Sequence, residues 1–136
     1  MTNLAMAVVV RDGRVLVQER YRNAKGMVFE FPGGTVDQNE SGEQAAIREL
    51  MEETGIGNVS VVSSHKYKNE FGGEIYFVIL KQRENEEPKV VESYRKQVFH
   101  WFKPSEIPAR RFYNADRQFI ETELSKCTYQ VSAVGR

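Results

Sequence analysis

The segment from Ser41 to Thr54 is the feature that most restricts how this chain can fold. Ser41 is a good N-cap, Gln44 completes a capping-box pattern, and Gly55 stands where a helix commonly ends. At about 100° per residue, one side of the predicted helix is apolar. That side carries Ile47, Leu50, Met51 and Thr54. Because an apolar helix face needs a partner to cover it, the segment predicts a domain with a packed core.

A second side of the same helix is acidic. With Glu49 taken as zero, Glu53 lies at about +40° and Glu52 at about −60°. Ala45 falls among the three carboxylates and is expected to leave that side open. Like charges one turn apart cost a helix roughly 0.2–0.5 kcal/mol per pair, and the negative end of the helix dipole opposes them further. The pattern indicates either a solvated acidic surface or a site for a hard cation such as Mg²⁺, which prefers oxygen ligands.

The other predicted elements are mostly strands. The Asp12-Gly13 turn joins two apolar runs, Leu4–Val10 and Val15–Glu19, and predicts a β-hairpin. A second helix is expected from an N-cap at Asn114 to about residue 126, followed by ten loosely held residues. Further strands are predicted at 27–31, 59–63, 74–80 and 98–102, with a loop at 21–26. Strands mixed with two helices predict an α/β fold, with a mixed β-sheet between helices on both faces.

Composition excludes several classes of protein. The 136 residues, 40% of them hydrophobic, suit a single domain over 1–136. Nineteen basic and nineteen acidic residues leave no excess for gripping a nucleic-acid duplex or a membrane surface. The longest N-terminal apolar run is far shorter than the ~20 residues that a bilayer requires. A single cysteine, Cys127, excludes intrachain disulfides and favours a cytoplasmic setting; without a partner histidine in sequence it is not expected to be a nucleophile.

The spacing of charged and glycine residues from Gly34 to Ile56 resembles a known family motif. This stretch reads GTVDQNESGEQAAIRELMEETGI and matches the Nudix box, GX5EX7REUXEEXGU, where U is a bulky aliphatic residue. All nine defined positions agree over 23 residues. The preceding Phe29–Gly33 segment, FEFPG, resembles the strand that leads into the box in MutT-type members. The chain is therefore identified as a MutT-type member of the Nudix hydrolase superfamily.

The resemblance implies an α/β/α sandwich that hydrolyses a nucleoside diphosphate linked to another moiety, with Mg²⁺ or Mn²⁺ as the required cofactor. By matching position, Arg48 resembles the arginine that orients a catalytic glutamate, and Glu40 resembles the glutamate that supports it. Glu52 and Glu53 are expected to take part in catalysis as well as in metal binding. The implied metal ligands are the Gly33 carbonyl, Glu49, Glu52 and Glu53.

Candidate residues outside the box come from looser resemblances. In many family members the general base lies in a loop before the last strand, and Glu92 is nearest that position; a solvated loop acid is its other interpretation. Asn114 resembles the asparagine that reads the base in MutT-type enzymes, and a helix N-cap is its stronger interpretation. Arg20 and Phe31 complete the expected substrate-binding set. The other acids of that loop are Glu84, Glu86 and Glu87.

The expected substrate is a small-molecule nucleotide. The FEFPGG segment and the small size favour a (deoxy)nucleoside triphosphate, cleaved to a nucleoside monophosphate and pyrophosphate. Hydrolysis of ADP-ribose, a dinucleoside polyphosphate or coenzyme A remains an alternative, as does a module that senses a nucleotide without cleaving it. Either a monomer or a homodimer is compatible with the sequence.

Overall fold

A computed structural model of the chain describes residues 2–22, 26–91 and 96–134. Within these ranges the chain alternates strands with helices. The strands are β1 (Leu4–Arg11), β2 (Arg14–Arg22), β3 (Gly26–Glu30), β4 (Gly33–Thr35), β5 (Val59–Lys68), β6 (Glu74–Gln82) and β7 (Val98–Phe102). The α-helices are α1 (Gly42–Thr54), α2 (Asn114–Phe119) and α3 (Ser125–Val134), with a π-helical segment at Ile120–Leu124 between the last two.

The strands form one mixed sheet. Its order is β3-β2-β1-β6-β5, with β4 added to β1 and β7 added to β2. The central pair β1 and β6 is parallel, with Leu4 opposite Ile75 and Val10 opposite Lys81. The other pairs are antiparallel. The long connection between the parallel strands carries α1, as a parallel crossover requires.

Helices cover both faces of the sheet, which confirms the predicted α/β/α sandwich. On one face, Ala46 and Leu50 of α1 join Val9 of β1 in a buried apolar cluster. On the other face the C-terminal helices pack against β6, where the rings of Phe77 and Phe119 stack with centroids 4.4 Å apart. Alternate residues along β1 therefore belong to different cores, as the two-residue period of a strand dictates.

The turn residues of the first hairpin and the capping residues of α1 adopt the conformations that the sequence predicts. Asp12 and Gly13 have φ values of 50° and 75° in the turn between β1 and β2. The Ser41 hydroxyl accepts a hydrogen bond from the Gln44 N–H, and the Gln44 side-chain oxygen accepts one from the Ser41 N–H. Gly55 ends α1 in the left-handed region, with φ at 80°.

Two strands differ from the prediction around the first loop. Tyr21 and Arg22 belong to β2 and Gly26 begins β3, so the expected loop is shorter; 23–25 lie outside the described residues. Gly33 does not simply end a strand, because the Gly33–Thr35 segment pairs with β1 as β4. This pairing needs glycine: a Cβ on Gly33 would lie 2.3 Å from the Ala5 carbonyl oxygen.

The C-terminal helical segment extends further than the sequence predicts. Asn114 is the first residue of α2 and not its N-cap, which is Tyr113. The helical segment continues past residue 126 to Val134, because Cys127 and Val131 lie one turn apart and both enter the core. Within the described ranges, every helix is too short or too polar to cross a bilayer.

Cys127 has a histidine neighbour that is distant in sequence. Its Sγ lies 3.5 Å from Nε2 of His65, which β5 brings across the sheet face. Burial, together with the charge of Glu123, raises the pKa of the thiol to about 11. The thiol is therefore kept protonated near neutrality, and the structure agrees that it is not an activated nucleophile.

Candidate active site

The acidic side of α1 is turned partly into the protein. Glu53 is only 6% exposed and shares the buried side of the helix with Ala46. Ala45 is fully buried against the sheet, so it does not leave the acidic side open as expected. Met51, expected in the core, is 50% exposed. The small alanines let the helix approach β1 closely, and that approach rotates the buried side toward Glu53.

Two donors hold the Glu53 carboxylate. The Gln18 side chain donates from Nε2 to Oε1 at 3.3 Å, and the Gly33 N–H donates to Oε2 at 2.7 Å. Burial nevertheless raises the pKa of Glu53 to about 7, and the charge of Glu49 adds to the rise. The two hydrogen bonds and the charge of Arg20 act in the opposite direction. A carboxylate held this way is oriented but costly to ionise without a further positive partner.

Arg48 connects the other box carboxylates. Its Nε and NH2 atoms donate to the two oxygens of Glu40 at 2.8 and 3.1 Å, a bidentate pair. Its NH1 atom reaches Glu49 Oε1 at 3.1 Å and Glu52 at 3.3 Å. NH2 also donates to the Thr35 carbonyl at 3.0 Å, which ties the network to β4. The Arg48 hydrogen bond holds the pKa of Glu40 below its usual value.

The geometry fits part of the predicted roles. Glu40 supports Arg48 as expected, and Arg48 orients Glu49 and Glu52. Glu53 is oriented instead by Gly33 and a residue of β2. The catalytic contribution of these residues stays a prediction.

The donor chemistry of the box suits a hard divalent cation. Within the described ranges, no three acidic, histidine or cysteine side chains stand close enough together to enclose a metal ion, because Arg48 draws Glu49 and Glu52 toward itself. The set nevertheless offers only oxygen, as Mg²⁺ and Mn²⁺ prefer. Repulsion between Glu49 and Glu53 is a cost that a cation would offset. The assignment of Gly33, Glu49, Glu52 and Glu53 as ligands is therefore chemically consistent and stays a prediction.

Gly34 leaves the space that the Glu49 carboxyl group occupies. A Cβ on Gly34 would lie 2.6 Å from Glu49 Cδ and Oε1, closer than such atoms approach in proteins. The glycine therefore lets a carboxylate of α1 lie directly on the backbone of β4.

A cavity of about 350 Å³ lies beside Glu53. Gly33, Gly34 and Glu53 line one side of it, while Tyr113 and Asp116 near the start of α2 line another. Its volume lies within the range of small-molecule sites, which start near 300 Å³. The box therefore adjoins a space large enough for part of a small ligand.

The structure brings two of the three predicted substrate residues to this cavity. Arg20 lines it, with Nε 2.8 Å from Oε1 of the buried Glu30. Phe31 also lines it, although its ring is 1% exposed and packs mainly within the aromatic core. Asn114 does not line it: this exposed side chain donates from Nδ2 to Glu70 Oε2 at 3.0 Å.

The predicted general base cannot be placed, because Glu92 lies outside the described residues. Two other acids of that loop have structural partners. Glu86 accepts hydrogen bonds from the N–H groups of Gly57 and Asn58, just after α1. Glu87 forms an ion pair with Arg11 at 2.9 Å. These contacts favour a structural role for both.

Sequence reasoning missed Gln18, Glu30 and Asp116, which all line the cavity. Gln18 had a usable signal, since it is a polar residue at the end of the apolar run Val15–Val17. Asp116 had none, because an acid in the first turn of a helix is commonplace. Its carboxyl group is 6% exposed, and Oδ1 has no hydrogen-bond partner among the described residues.

Replacing Asp116 with asparagine is expected to change how stability depends on pH. Burial, aided by the charges of Glu30 and Glu70, raises the pKa of Asp116 from its ordinary 3.8 to about 7. The contribution of Asp116 to stability is therefore fully present below about pH 4 and is lost as the pH rises through 7. Relative to Asp116→Asn, the free energy of unfolding should fall by up to about 4 kcal/mol between pH 4 and 8. Urea unfolding at a series of pH values measures this free energy. The same dependence on pH in both proteins would contradict the assignment.

Comparison with known proteins gives a consistent result. The family model described as NUDIX domain matches residues 1–122. An RNA pyrophosphohydrolase of Caulobacter vibrioides is 42% identical over 60 residues, 44% of this chain, and the match spans only 35% of that relative's length. An oxidized purine nucleoside triphosphate hydrolase of Danio rerio is 33% identical over 128 residues, covering 90% of this chain and 80% of the relative. The crystal structure of a MutT NUDIX hydrolase from Burkholderia pseudomallei superposes with a TM-score of 0.67 at 28% identity, covering 90% and 97% of the two chains.

Proposed function

Since the chain belongs to the NUDIX family, we propose that it is a pyrophosphohydrolase that cleaves a phosphoric anhydride in a nucleoside diphosphate derivative. The observation that carries the proposal is the position of the box beside the cavity. Gly34 and Glu53 of the box, together with the adjacent Gly33, line the same 350 Å³ space. A nucleotide bound there would place its phosphates against the acidic side of α1.

The substrate that we propose is a (deoxy)nucleoside triphosphate, cleaved to a nucleoside monophosphate and pyrophosphate. Two observations support this choice. The relative that matches nearly the whole chain is named for hydrolysis of oxidized purine nucleoside triphosphates. The cavity volume of about 350 Å³ lies at the lower end of the range for small-molecule sites, which favours a substrate of modest size.

The site residues would have separate roles in the proposed reaction. Glu49, Glu52, Glu53 and the Gly33 carbonyl would hold Mg²⁺ or Mn²⁺, which supplies charge neutralisation for the phosphoryl oxygens and lowers the pKa of water. Arg48 keeps two of these carboxylates in place through NH1 and is itself anchored by Glu40. Gln18 and the Gly33 N–H fix the orientation of Glu53. Such preorganisation removes the cost of arranging charged groups during the reaction.

Removal of divalent metal is expected to abolish hydrolysis. The repulsion between Glu49 and Glu53 is then not offset, and Arg20 and Arg22, which line the cavity, are paired with Glu30. Activity on the best substrate should fall at least about 10²-fold in excess EDTA and return when Mg²⁺ or Mn²⁺ is added beyond the chelator. Equal rates with and without EDTA would show that the metal assignment is wrong.

The site of cleavage is tested by isotope incorporation. In ¹⁸O-labelled water, label is expected in a phosphate-containing product, because water attacks phosphorus. A panel of nucleoside triphosphates, ADP-ribose, dinucleoside polyphosphates and coenzyme A identifies the substrate class at the same time. Release of orthophosphate from the γ position would keep the enzyme and overturn the proposed products. Nucleotide binding without any product across the panel would instead identify a sensor.

A further inference from the structure

Two buried glutamine side chains connect the start of β7 with the Glu53 carboxylate. Gln97 precedes β7 and is 5% exposed, and Gln18 on β2 is 1% exposed. Nε2 of Gln97 donates to Oε1 of Gln18 at 2.9 Å, and Nε2 of Gln18 donates to Oε1 of Glu53 at 3.3 Å. Gln97 does not line the cavity, and among the described residues its hydrogen bond to Gln18 connects it with the site.

Both hydrogen bonds of this chain have their donors directed toward Glu53. Gln18 turns its NH₂ group toward Glu53 and its carbonyl away. That carbonyl then needs a donor, and the NH₂ group of Gln97 supplies it. Both amide dipoles consequently present their positive ends toward Glu53, and each hydrogen bond strengthens the next.

The contribution of the Gln97 side chain to folding stability does not by itself explain why an amide stands at this position. Oε1 of Gln97 is buried and has no hydrogen-bond partner among the described residues. A buried acceptor without a partner destabilises a fold, whereas an apolar side chain of the same length would avoid that cost. What the amide provides is its donor, which is directed at Gln18.

We propose that Gln97 is a positioning residue, which acts through Gln18 to hold the Glu53 carboxylate in the orientation that binds a divalent cation. The proposal rests on the proposed function for the role of Glu53. Partners of this kind commonly change metal affinity or activity by about 10–100-fold when they are removed. Because Gln97 stands one residue further from the carboxylate, we expect an effect at the lower end of that range.

The test compares two variants of the full chain with the native protein by Mn²⁺ binding, measured from the electron paramagnetic resonance signal of free Mn²⁺. Gln97→Met removes the donor and keeps the length of the side chain. Gln82→Met is the matched control, since Gln82 is also buried, on β6, and bonds to the Glu86 carbonyl. The Kd for Mn²⁺ should rise about 10-fold in Gln97→Met and stay within about twofold in Gln82→Met, with both proteins folded by circular dichroism.

A double-mutant cycle with Gln18→Met separates positioning from a general packing effect. If Gln97 acts through Gln18, adding Gln97→Met to Gln18→Met should change the Kd less than about twofold. In steady-state assays Gln97→Met should have a lower kcat than the native protein and a nearly unchanged KM. If the fold-changes in Kd of the two single variants multiply in the double variant, the proposal is overturned. An unchanged Kd in Gln97→Met would overturn it as well. A native protein that binds no Mn²⁺ would instead contradict the proposed function.

Discussion

Replacing Glu53 with glutamine is expected to lower kcat by at least about 10²-fold while the protein stays folded. Glutamine keeps the size of the side chain and can still accept the Gly33 N–H bond, but it loses the charge that would bind a cation. Folding stability should change little or rise, because the substitution removes a buried charge and its repulsion with Glu49. Steady-state kinetics and thermal unfolding without metal measure the two effects separately.

A matched control for this substitution lies on the same helix. Glu43 is exposed in the first turn of α1 and belongs to no defined position of the box. Glu43→Gln should leave kcat within about twofold of the native value, since its carboxylate faces solvent. If Glu53→Gln unfolds the protein, Glu53 belongs to the fold rather than to the reaction. A kcat near the native value would show that Glu53 is not part of the catalytic set.

The adjacent glycines of β4 are expected to respond to alanine differently, Gly33 in stability and Gly34 in metal binding. A Cβ on Gly33 would lie 2.3 Å from the Ala5 carbonyl oxygen and 2.9 Å from Met6 Cα, both backbone atoms of the central strand. Because neither can move without breaking the β1–β4 pairing, Gly33→Ala should lower the free energy of unfolding by about 3 kcal/mol or more. Neither glycine has a positive φ, so the effect is steric and not conformational.

Gly34→Ala meets only the end of a flexible side chain. Its Cβ would displace the Glu49 carboxyl group, which can rotate away, so the unfolding free energy should fall by less than about 1 kcal/mol. The displaced carboxylate should raise the Kd for Mn²⁺ about 10-fold. Urea unfolding and Mn²⁺ titration of both variants test the contrast. Similar losses of stability in the two, or unaltered Mn²⁺ binding in Gly34→Ala, would contradict the packing described for β4.

Neighbouring residues alone were enough to predict those ends of helices and strands that are set by short sequence patterns. The capping box at Ser41, the Asp12-Gly13 turn and the Gly55 terminus each depend on residues within one turn of one another, and each has the expected form. The box itself is equally local, which is why its family could be recognised. The structure confirms these predictions because tertiary packing does not compete with them.

Other features depend on contacts between distant segments and were wrong or missed. Ala45 is buried because α1 lies against β1. The angular positions of residues around a helix do not show which neighbouring element covers them. The same packing turns Glu53 inward, toward Gln18 on another strand. Asn114 points to Glu70 and Asp116 to the cavity because the chain before α2 sets the rotation of that helix. None of these rotations follows from the residue types alone.

The parallel pairing of β1 with β6 has a consequence for how the chain acquires its structure. Leu4 lies opposite Ile75, so the central strand is synthesised long before the strand that completes it. Until then one edge of β1, rich in buried valines, has no partner. Pairings so distant in sequence slow folding and expose strand edges to other chains. We therefore expect refolding from denaturant to be slow for a protein of this size, and its yield to fall as protein concentration rises.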